Sequence, residues 1–375
     1  MKRTDFSVDW LFAACAPDTE LLPWNAQFTP VDLPHDWQIR HADDLYRDGT
    51  LFYRKYFFVT DVPGTRRMLW FGGAYMDTTV FVNGTEVGQW KYGYTSFWFD
   101  ITDALHEGQN EVLVRCNLRH PNSRWYSGAG LYRNVELWEA PDLHLMPDGL
   151  YVAAKEGDNG AWTVAVTAEV GSVTAASAGR TLTLHLTDDN GSLLGTAAIP
   201  ADAWAAFPSP DGWRTGKETA IYKASHTFTL QDPALWDLDA PSFYHITAEL
   251  TGADGVTDTL TTRFGCRTIE ATPDCGLLVN HKRVLIKGVC IHHDFGCLGS
   301  AFEYSAAKRQ LEILKSMGVN SIRTGHTPPA PQFMDLADEM GILMDVESFD
   351  CWRSGKNPYD YGRFFDEWQE KDVAA

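Results

Sequence analysis

VLIKGVCIHHD at 284–294 and VNSIRTGHTPPAP at 319–331 each end a buried-strand pattern in histidine, and GILMDVESFDCW at 341–352 ends a third in carboxylates. Two helical patterns separate them. Over 304–317, Ala307, Leu311, Leu314 and Met317 recur on one helical face, with Ser305 as candidate N-cap and Gly318 as the stop. The second pattern starts at Pro331, whose fixed φ suits a first helical position. It turns Phe333, Leu336, Ala337 and Met340 inward and stops at Gly341. Strands that alternate with helices pair in parallel, and continuously apolar runs are expected when both strand faces are covered. A β-α-β-α-β run of this kind puts its polar residues at the strand ends, where α/β barrels keep their active sites. A third helix is expected over 361–371.

Upstream of this run the periodicity changes. Residues 1–140 read as all-β, with short strands rich in β-branched and aromatic residues at 51–59, 67–73, 78–84, 86–90, 111–116 and 134–139. Asn83-Gly84 marks a tight hairpin, since both residues accept positive φ. Many short strands with polar turns predict a sandwich or jelly roll. Residues 141–265 form a second β block with cleaner alternation at 162–170, 180–186, 225–230, 243–250 and 259–264, the scale of an immunoglobulin-like sandwich. Its loops are expected at 171–180 and 206–216.

The 375 residues are 44% hydrophobic and 22% charged, an ordinary globular balance that predicts two or three domains. A net charge of −19 argues against nucleic acid or an anionic membrane as partner. The N-terminus MKRTDFSVDWLFAAC lacks an apolar core of signal-peptide length, and no stretch approaches a membrane span. Seven cysteines without close paired spacing suggest neither a disulfide framework nor a zinc ribbon. A cytoplasmic protein is the expectation.

From end to end the chain resembles the N-terminal part of glycoside hydrolase family 2, the β-galactosidase/β-glucuronidase family. LPHDW (33–37), FYRKYFFV (52–59), VFVNGTEVG (80–88), FDIT (99–102) and SRWYSGAGLYRNVEL (123–137) are similar to its sugar-binding jelly roll. PALWDLDAPSFYHITAEL (233–250) resembles its immunoglobulin-like domain, and FGCRTIE (264–270) the junction into its barrel. IKGVCIHHD and NSIRTGHTPPAP resemble the first two barrel strands. The resemblance implies three parts: a jelly-roll β-sandwich over 1–140, an immunoglobulin-like β-sandwich over 141–265, and the first three β/α units of a truncated TIM barrel over 266–375. At two places the chain departs from the pattern. Thr324-Gly325-His326-Thr327-Pro328 stands where the family often has Ser/Cys/Thr-Ser-His-Asn/Tyr-Pro, and Val346 precedes Glu347 where the family tends to show Asp-Glu.

The chemistry the resemblance implies is retaining hydrolysis of terminal β-glycosides. One carboxylate attacks the anomeric carbon and a second, ~5–5.5 Å away, acts first as acid and then as base. The acid/base Glu is expected after an Asn at the end of a fourth barrel strand, with the nucleophile further on. The one Asn-Glu pair here, Asn110-Glu111, lies inside a first-block strand and cannot serve. Residues 266–375 offer three strands of the eight that occupy ~250 residues in a full barrel. The chain is therefore expected to be an N-terminal fragment of a β-galactosidase-like enzyme. Both catalytic glutamates would lie beyond it, leaving it inactive by itself.

What remains is a supporting shell. By resemblance, His292 and His326 are the strand-end histidines that contact sugar hydroxyls and support the transition state; a neutral imidazole can both donate and accept. Arg323 matches the arginine beside the nucleophile, where a fixed positive charge favours an ionised carboxylate. Glu347 and Asp350 end the third strand, either to bind hydroxyls or a divalent cation such as Mg²⁺, or simply to pair with strand-end cations. Asn122 and Trp125, beside Arg124 and Tyr126, lie in the first-block loop that reaches the barrel mouth in the family; Trp125 is a packing residue in the preferred reading, or else a sugar platform. His293 and Asp294 either extend this shell or, in the preferred reading, make turn contacts after the first strand. The expected partner is a carbohydrate, a β-galactoside or related β-glycoside, and homo-oligomers are left open. Two rival readings are a barrel metallohydrolase using His292, His293, Asp294 and His326, and a non-enzymatic carbohydrate-binding fragment or degenerate homologue.

Overall fold

The computed structural model describes residues 1–41, 43–60, 64–174, 178–207, 218, 220–252 and 255–375. The N-terminal unit is a sandwich of two antiparallel sheets. Six strands follow the spatial order Thr29–Val31, Trp10–Cys15, Gly49–Val59, Gly108–Leu118, Thr78–Val82 and Thr85–Trp90. Four others follow the order Lys2–Asp5, Val135–Pro141, Thr65–Phe71 and Phe97–Asp100. Gly108–Leu118 shows why these segments are strands. Asn110, Val112, Val114, Cys116 and Leu118 are buried while their neighbours are not, the period-2 signature of a sheet with one face on a core. Asn83 and Gly84 make the predicted turn, with φ of 51° and 80°.

The second unit packs two four-stranded sheets over Trp162, Val164, Leu182, Leu184, Ile246 and Leu250. Sequence periodicity misses three of its strands, the three-residue Ala205–Phe207 and two longer ones. Leu143–Glu156 is interrupted by Pro147-Asp148-Gly149, where the pairing register shifts between Leu145 and Leu150. Leu193–Pro200 is built largely of small or exposed residues. Of the loops expected at 171–180 and 206–216, residues 171–172 and 206–207 are strand; 175–177 and 208–216 lie outside the described residues.

A small antiparallel sheet spanning Ile269–Arg283 leads into the third unit. There β1 (Gly288–Ile291), α1 (Tyr304–Ser316), β2 (Ser321–Thr324), α2 (Pro331–Glu339) and β3 (Leu343–Val346) alternate as predicted. The strands pair in parallel with Cys290, Arg323 and Asp345 in one row. Gly318 and Gly341, with φ of 87° and 64°, end the two helices. A 3₁₀ turn (Tyr361–Arg363) precedes α3 (Phe365–Ala374).

Several details differ from the sequence reading. Glu303 rather than Ser305 takes the N-cap position of α1, without a side-chain bond, and Met317 is 73% exposed. The first strand begins at Gly288, leaving Leu285 and Ile286 exposed. One strand face is covered, not two: Ile322 is fully buried with Val289, Ile291 and Met344 against the helices, whereas Cys290 and Asp345 on the opposite face are exposed.

Two seams join this unit to the N-terminal sandwich. In one, Tyr361, Phe365 and Trp368 enter the sandwich core beside Trp90 and Tyr92. In the other, the loop 122–130 lies across the ends of β1 to β3.

Candidate functional site

The polar ends of the three parallel strands converge on one ion-pair network. Arg323, in the middle strand, reaches the end of β3 and donates to Glu347 Oε1 from Nε at 3.0 Å and from Nη2 at 2.5 Å. Its Nη1 donates to Cys290 Sγ at 3.0 Å, across the row that pairs β1 with β2. Glu347 Oε2 lies 2.7 Å from His326 Nδ1. Both carboxylate oxygens are therefore engaged. Burial works to raise the Glu347 pKa, but the bonds from His326 and Arg323 outweigh it and hold the carboxyl below its usual range.

These contacts assign the histidine tautomers. A carboxylate only accepts, so His326 donates to Glu347 from Nδ1–H, and in the neutral ring its Nε2 is an acceptor. His292 Nδ1 meets the Gly325 carbonyl, which also only accepts, so its Nε2 is likewise an acceptor. The two rings are 5.7 Å apart at an interplanar angle of 70°. Gly325 has a local reason: a Cβ there would approach Cys290 Sγ to 2.8 Å, so the short step from β2 to His326 runs over the cysteine.

Trp125 roofs the pair. Its indole lies nearly parallel to the His292 ring, at 8° and 5.5 Å between centroids, and meets His326 edge-on at 5.3 Å. Trp125 therefore packs on both histidines. Asn122 is buried, accepting from Tyr75 Oη at 3.0 Å and donating to the Arg119 carbonyl at 2.8 Å. Asn122, Trp125 and Asp350 line a crevice between sandwich and strand ends, together with Tyr94, Thr327 and Tyr361.

Asp350 is paired as well. Arg124 Nη2 and Lys356 Nζ donate to its Oδ1 at 2.6 and 2.8 Å. Burial works to raise its pKa, yet these donors outweigh burial and lower it. Of the two alternatives for Glu347 and Asp350, the structure has both carboxylates paired with cations. Among the described residues no group of three or more His, Cys, Asp or Glu side chains could hold a metal ion. With Glu347 held on both oxygens by Arg323 and His326, and Asp350 held on Oδ1 by Arg124 and Lys356 and on Oδ2 by the Cys351 thiol, the two carboxylates do not fit a Mg²⁺ site, and the metallohydrolase reading loses its ligand set.

His293 departs from the sequence reading, which made it a turn contact. Its ring turns away from His292 into the sandwich, against Tyr94 and Tyr132, and Nε2–H donates to the Ser127 carbonyl at 3.0 Å. Burial pushes its pKa down to about 4, so it is neutral at ordinary pH. Sequence reasoning also missed Asp36, Ser300 and Arg133. Buried Arg133 donates to the carbonyls of Gly72, Tyr94 and Pro328, tying the sandwich to the loop after β2. Only LPHDW, quoted for resemblance alone, flagged the segment that holds Asp36.

Comparison with known proteins covers nearly the whole chain. Residues 23–141 match the glycosyl hydrolases family 2 sugar binding domain, 148–267 the glycosyl hydrolases family 2 model, and 271–366 the family 2 TIM barrel domain. A β-galactosidase from Bacteroides ovatus is 35% identical over 99% of this chain and 44% of its own length. A β-glucuronidase from Bacteroides fragilis is 27% identical over 86% of this chain and 48% of its own. The crystal structure of a family 2 member from Bacteroides cellulosilyticus superposes with a TM-score of 0.88 at 28% identity, covering all of this chain and 49% of that one. The chain spans less than half the length of each.

Proposed function

The chain belongs to glycosyl hydrolases family 2, and from that premise we propose that it supplies the sugar-recognising half of a retaining β-glycosidase active site, most closely suited to β-galactosides. The observation that carries this reading is the strand-end network. His292 and His326 are each locked by an Nδ1 partner so that both present Nε2 as an acceptor for sugar hydroxyl protons, with Arg323 as fixed positive charge beside them. Glu347, held on both oxygens, and Asp350, bound by Arg124 and Lys356, are positioning groups rather than nucleophile or proton donor. The glutamate pair that performs displacement and proton transfer belongs to strands of the intact barrel other than these three.

The preference for a neutral sugar has a physical basis. A glucuronide carboxylate needs a cation, ideally a bidentate arginine. Here Arg323, Arg124 and Lys356 are each already engaged by Glu347 or Asp350. A galactoside asks only for hydroxyl partners, and the two Nε2 acceptors supply that chemistry.

The test is a titration of this chain with methyl β-galactoside and methyl β-glucuronide, following the His292 and His326 ring resonances. Both resonances are expected to move with the galactoside and less with the glucuronide, while chromogenic forms of either sugar are not turned over. Hydrolysis at the rate of a full-length relative would sink the division of labour. Rings that ignore both sugars would sink the site.

A further inference from the structure

We infer that Asp36 is a positioning residue for this site: its buried carboxylate pins the loop 122–130 to the barrel unit and so sets the Trp125 indole against His292. Asp36 is 3% exposed and gathers donors from three chain segments. Its Oδ1 accepts from Gln38 N at 2.9 Å and Ala129 N at 3.1 Å; its Oδ2 accepts from Tyr126 Oη at 2.6 Å, Ser300 N at 2.8 Å and Ser300 Oγ at 3.0 Å. Five hydrogen bonds replace the water a carboxylate loses on burial, and none comes from a cation. The group is therefore a hub whose bonds all set geometry.

The backbone closes on this hub from two sides. A Cβ on Gly128 would come 1.9 Å from Ser300 Oγ and 2.8 Å from Asp36 Oδ2, and one on Gly299 would come 2.3 Å from Oδ2. Both glycines hold positive φ, 66° and 63°. At these two positions the absence of a Cβ lets loop and barrel approach closely.

Trp125 depends on its neighbours for placement. Its indole Nε1 is buried without a hydrogen-bond partner among the described residues, so no polar contact of its own orients it. The residue before it, Arg124, is anchored to Asp350; the residue after it, Tyr126, is anchored to Asp36. Burial, then the adjacent Asp36 charge, raises the Tyr126 pKa, which keeps its hydroxyl a donor. Three further bonds continue the pinning: His293 Nε2–H to the Ser127 carbonyl, Trp37 N–H to the Ala129 carbonyl and His35 N–H to the Leu131 carbonyl.

The inference rests on the proposed function only for its bearing on sugar recognition; the placement itself is measured without sugar. The experiment is NMR of the full 375-residue chain with labelled histidine rings. His292, stacked under Trp125, is expected to show a ring-current-displaced resonance, assigned by its loss in His292→Gln. Asp36→Asn puts an amide N–H where a donor is already aimed, and Tyr126→Phe removes one donor. Both are expected to move the His292 resonance toward its position in Trp125→Phe, while His144 and His185 in the second sandwich stay put. An unmoved His292 resonance in both folded variants overturns the inference. Should Asp36→Asn fail to fold, Tyr126→Phe and Ser300→Ala decide: a displacement in either supports the hub, and none in both overturns it. Lost galactoside response with an intact stack counts against the sugar site, not against Asp36.

Discussion

The two seams that hold the barrel unit to the N-terminal sandwich are built from opposite materials. The strand-end seam is polar: Asp36 with its five donors, Arg133 on three carbonyls, His293 on one. The α3 seam is aromatic: Trp90 meets Trp368 at 5.6 Å and 80°, and Tyr92 meets Phe349 and Tyr361 at 5.2 and 4.3 Å. Aromatic burial is strong and tolerant of small displacements, whereas a hydrogen-bonded hub is directional. The α3 seam thus supplies adhesion, and the polar seam supplies alignment beside the histidines.

The largest effect that tests this division is Trp368→Ala. Trp368 is 7% exposed within the sandwich core, so its truncation is expected to cost about 3–5 kcal/mol and release α3. Denaturant melts and limited proteolysis near 365–375 check the loss. The His292–Trp125 stack is expected to persist in the folded fraction, and its collapse would mean that adhesion and alignment are not separable.

The next effect is alkaline and belongs to the α3 seam. Asp372 is buried against Tyr361 Oη, Thr95 Oγ1 and the Trp90 indole, with Lys371 beside it, and burial raises its pKa to about 7. An acid raised from 3.8 to about 7 contributes stability that is full below pH 4 and lost as pH rises through 7, on the order of 4 kcal/mol at the alkaline limit. Proteolytic release of α3 is expected to increase from about pH 4 to about pH 7.5 in the native chain and to level off above it. Asp372→Asn flattens that rise; an unchanged slope would remove Asp372 as its source.

How much of each seam is legible in the sequence follows from the same contrast. The Asn83-Gly84 turn, the glycine helix stops and the alternation of strand and helix around the two histidines are local signals, and they appear where residue spacing put them, although the first of those strands is shorter than its apolar run. The apolar face of α2 was equally readable, with Phe333, Leu336 and Ala337 buried as expected. Asp36 and Ser300 are 264 residues apart, and no periodicity announces a carboxylate that meets its partner across two domains. Likewise His293 looked like a turn residue because its neighbour His292 takes the site; alternation sends the second ring to the opposite side, into the sandwich. Met317 and Ile286 had the right composition but lie where no neighbour covers them.

A smaller effect, of opposite sign in pH, belongs to the polar seam. Burial lowers His293 from 6.5 to about 4, so the neutral form contributes stability that is full above pH 6.5 and lost as pH falls through 4. His35, bonded to Tyr53 Oη at 2.8 Å and also lowered to about 4 chiefly by burial, adds to the same acid limb. In an Asp372→Asn background, which lacks the opposing gain over the same window, melting temperatures are expected to fall from pH 7 to 4, and His293→Gln to remove part of the fall while leaving the alkaline limb intact. If His293→Gln instead altered the alkaline limb, the seams would be coupled.

The smallest effect separates buried from exposed anchoring within the polar seam. Arg124 and Tyr126 flank Trp125 and each ends on a carboxylate, but the Arg124 side chain is 51% exposed whereas Asp36, the end point of Tyr126, is buried. Solvent and salt screen the Arg124–Asp350 pair, and Asp350 keeps Lys356 when Arg124 is removed. Arg124→Ala is therefore expected to leave the melting temperature and the His292 resonance nearly unchanged, in contrast to Tyr126→Phe. A displacement as large as that in Tyr126→Phe would place control of the Trp125 indole at the exposed ion pair instead of the buried hub. Raising the salt would then move the His292 resonance in the native chain, and at present it is expected to stay put.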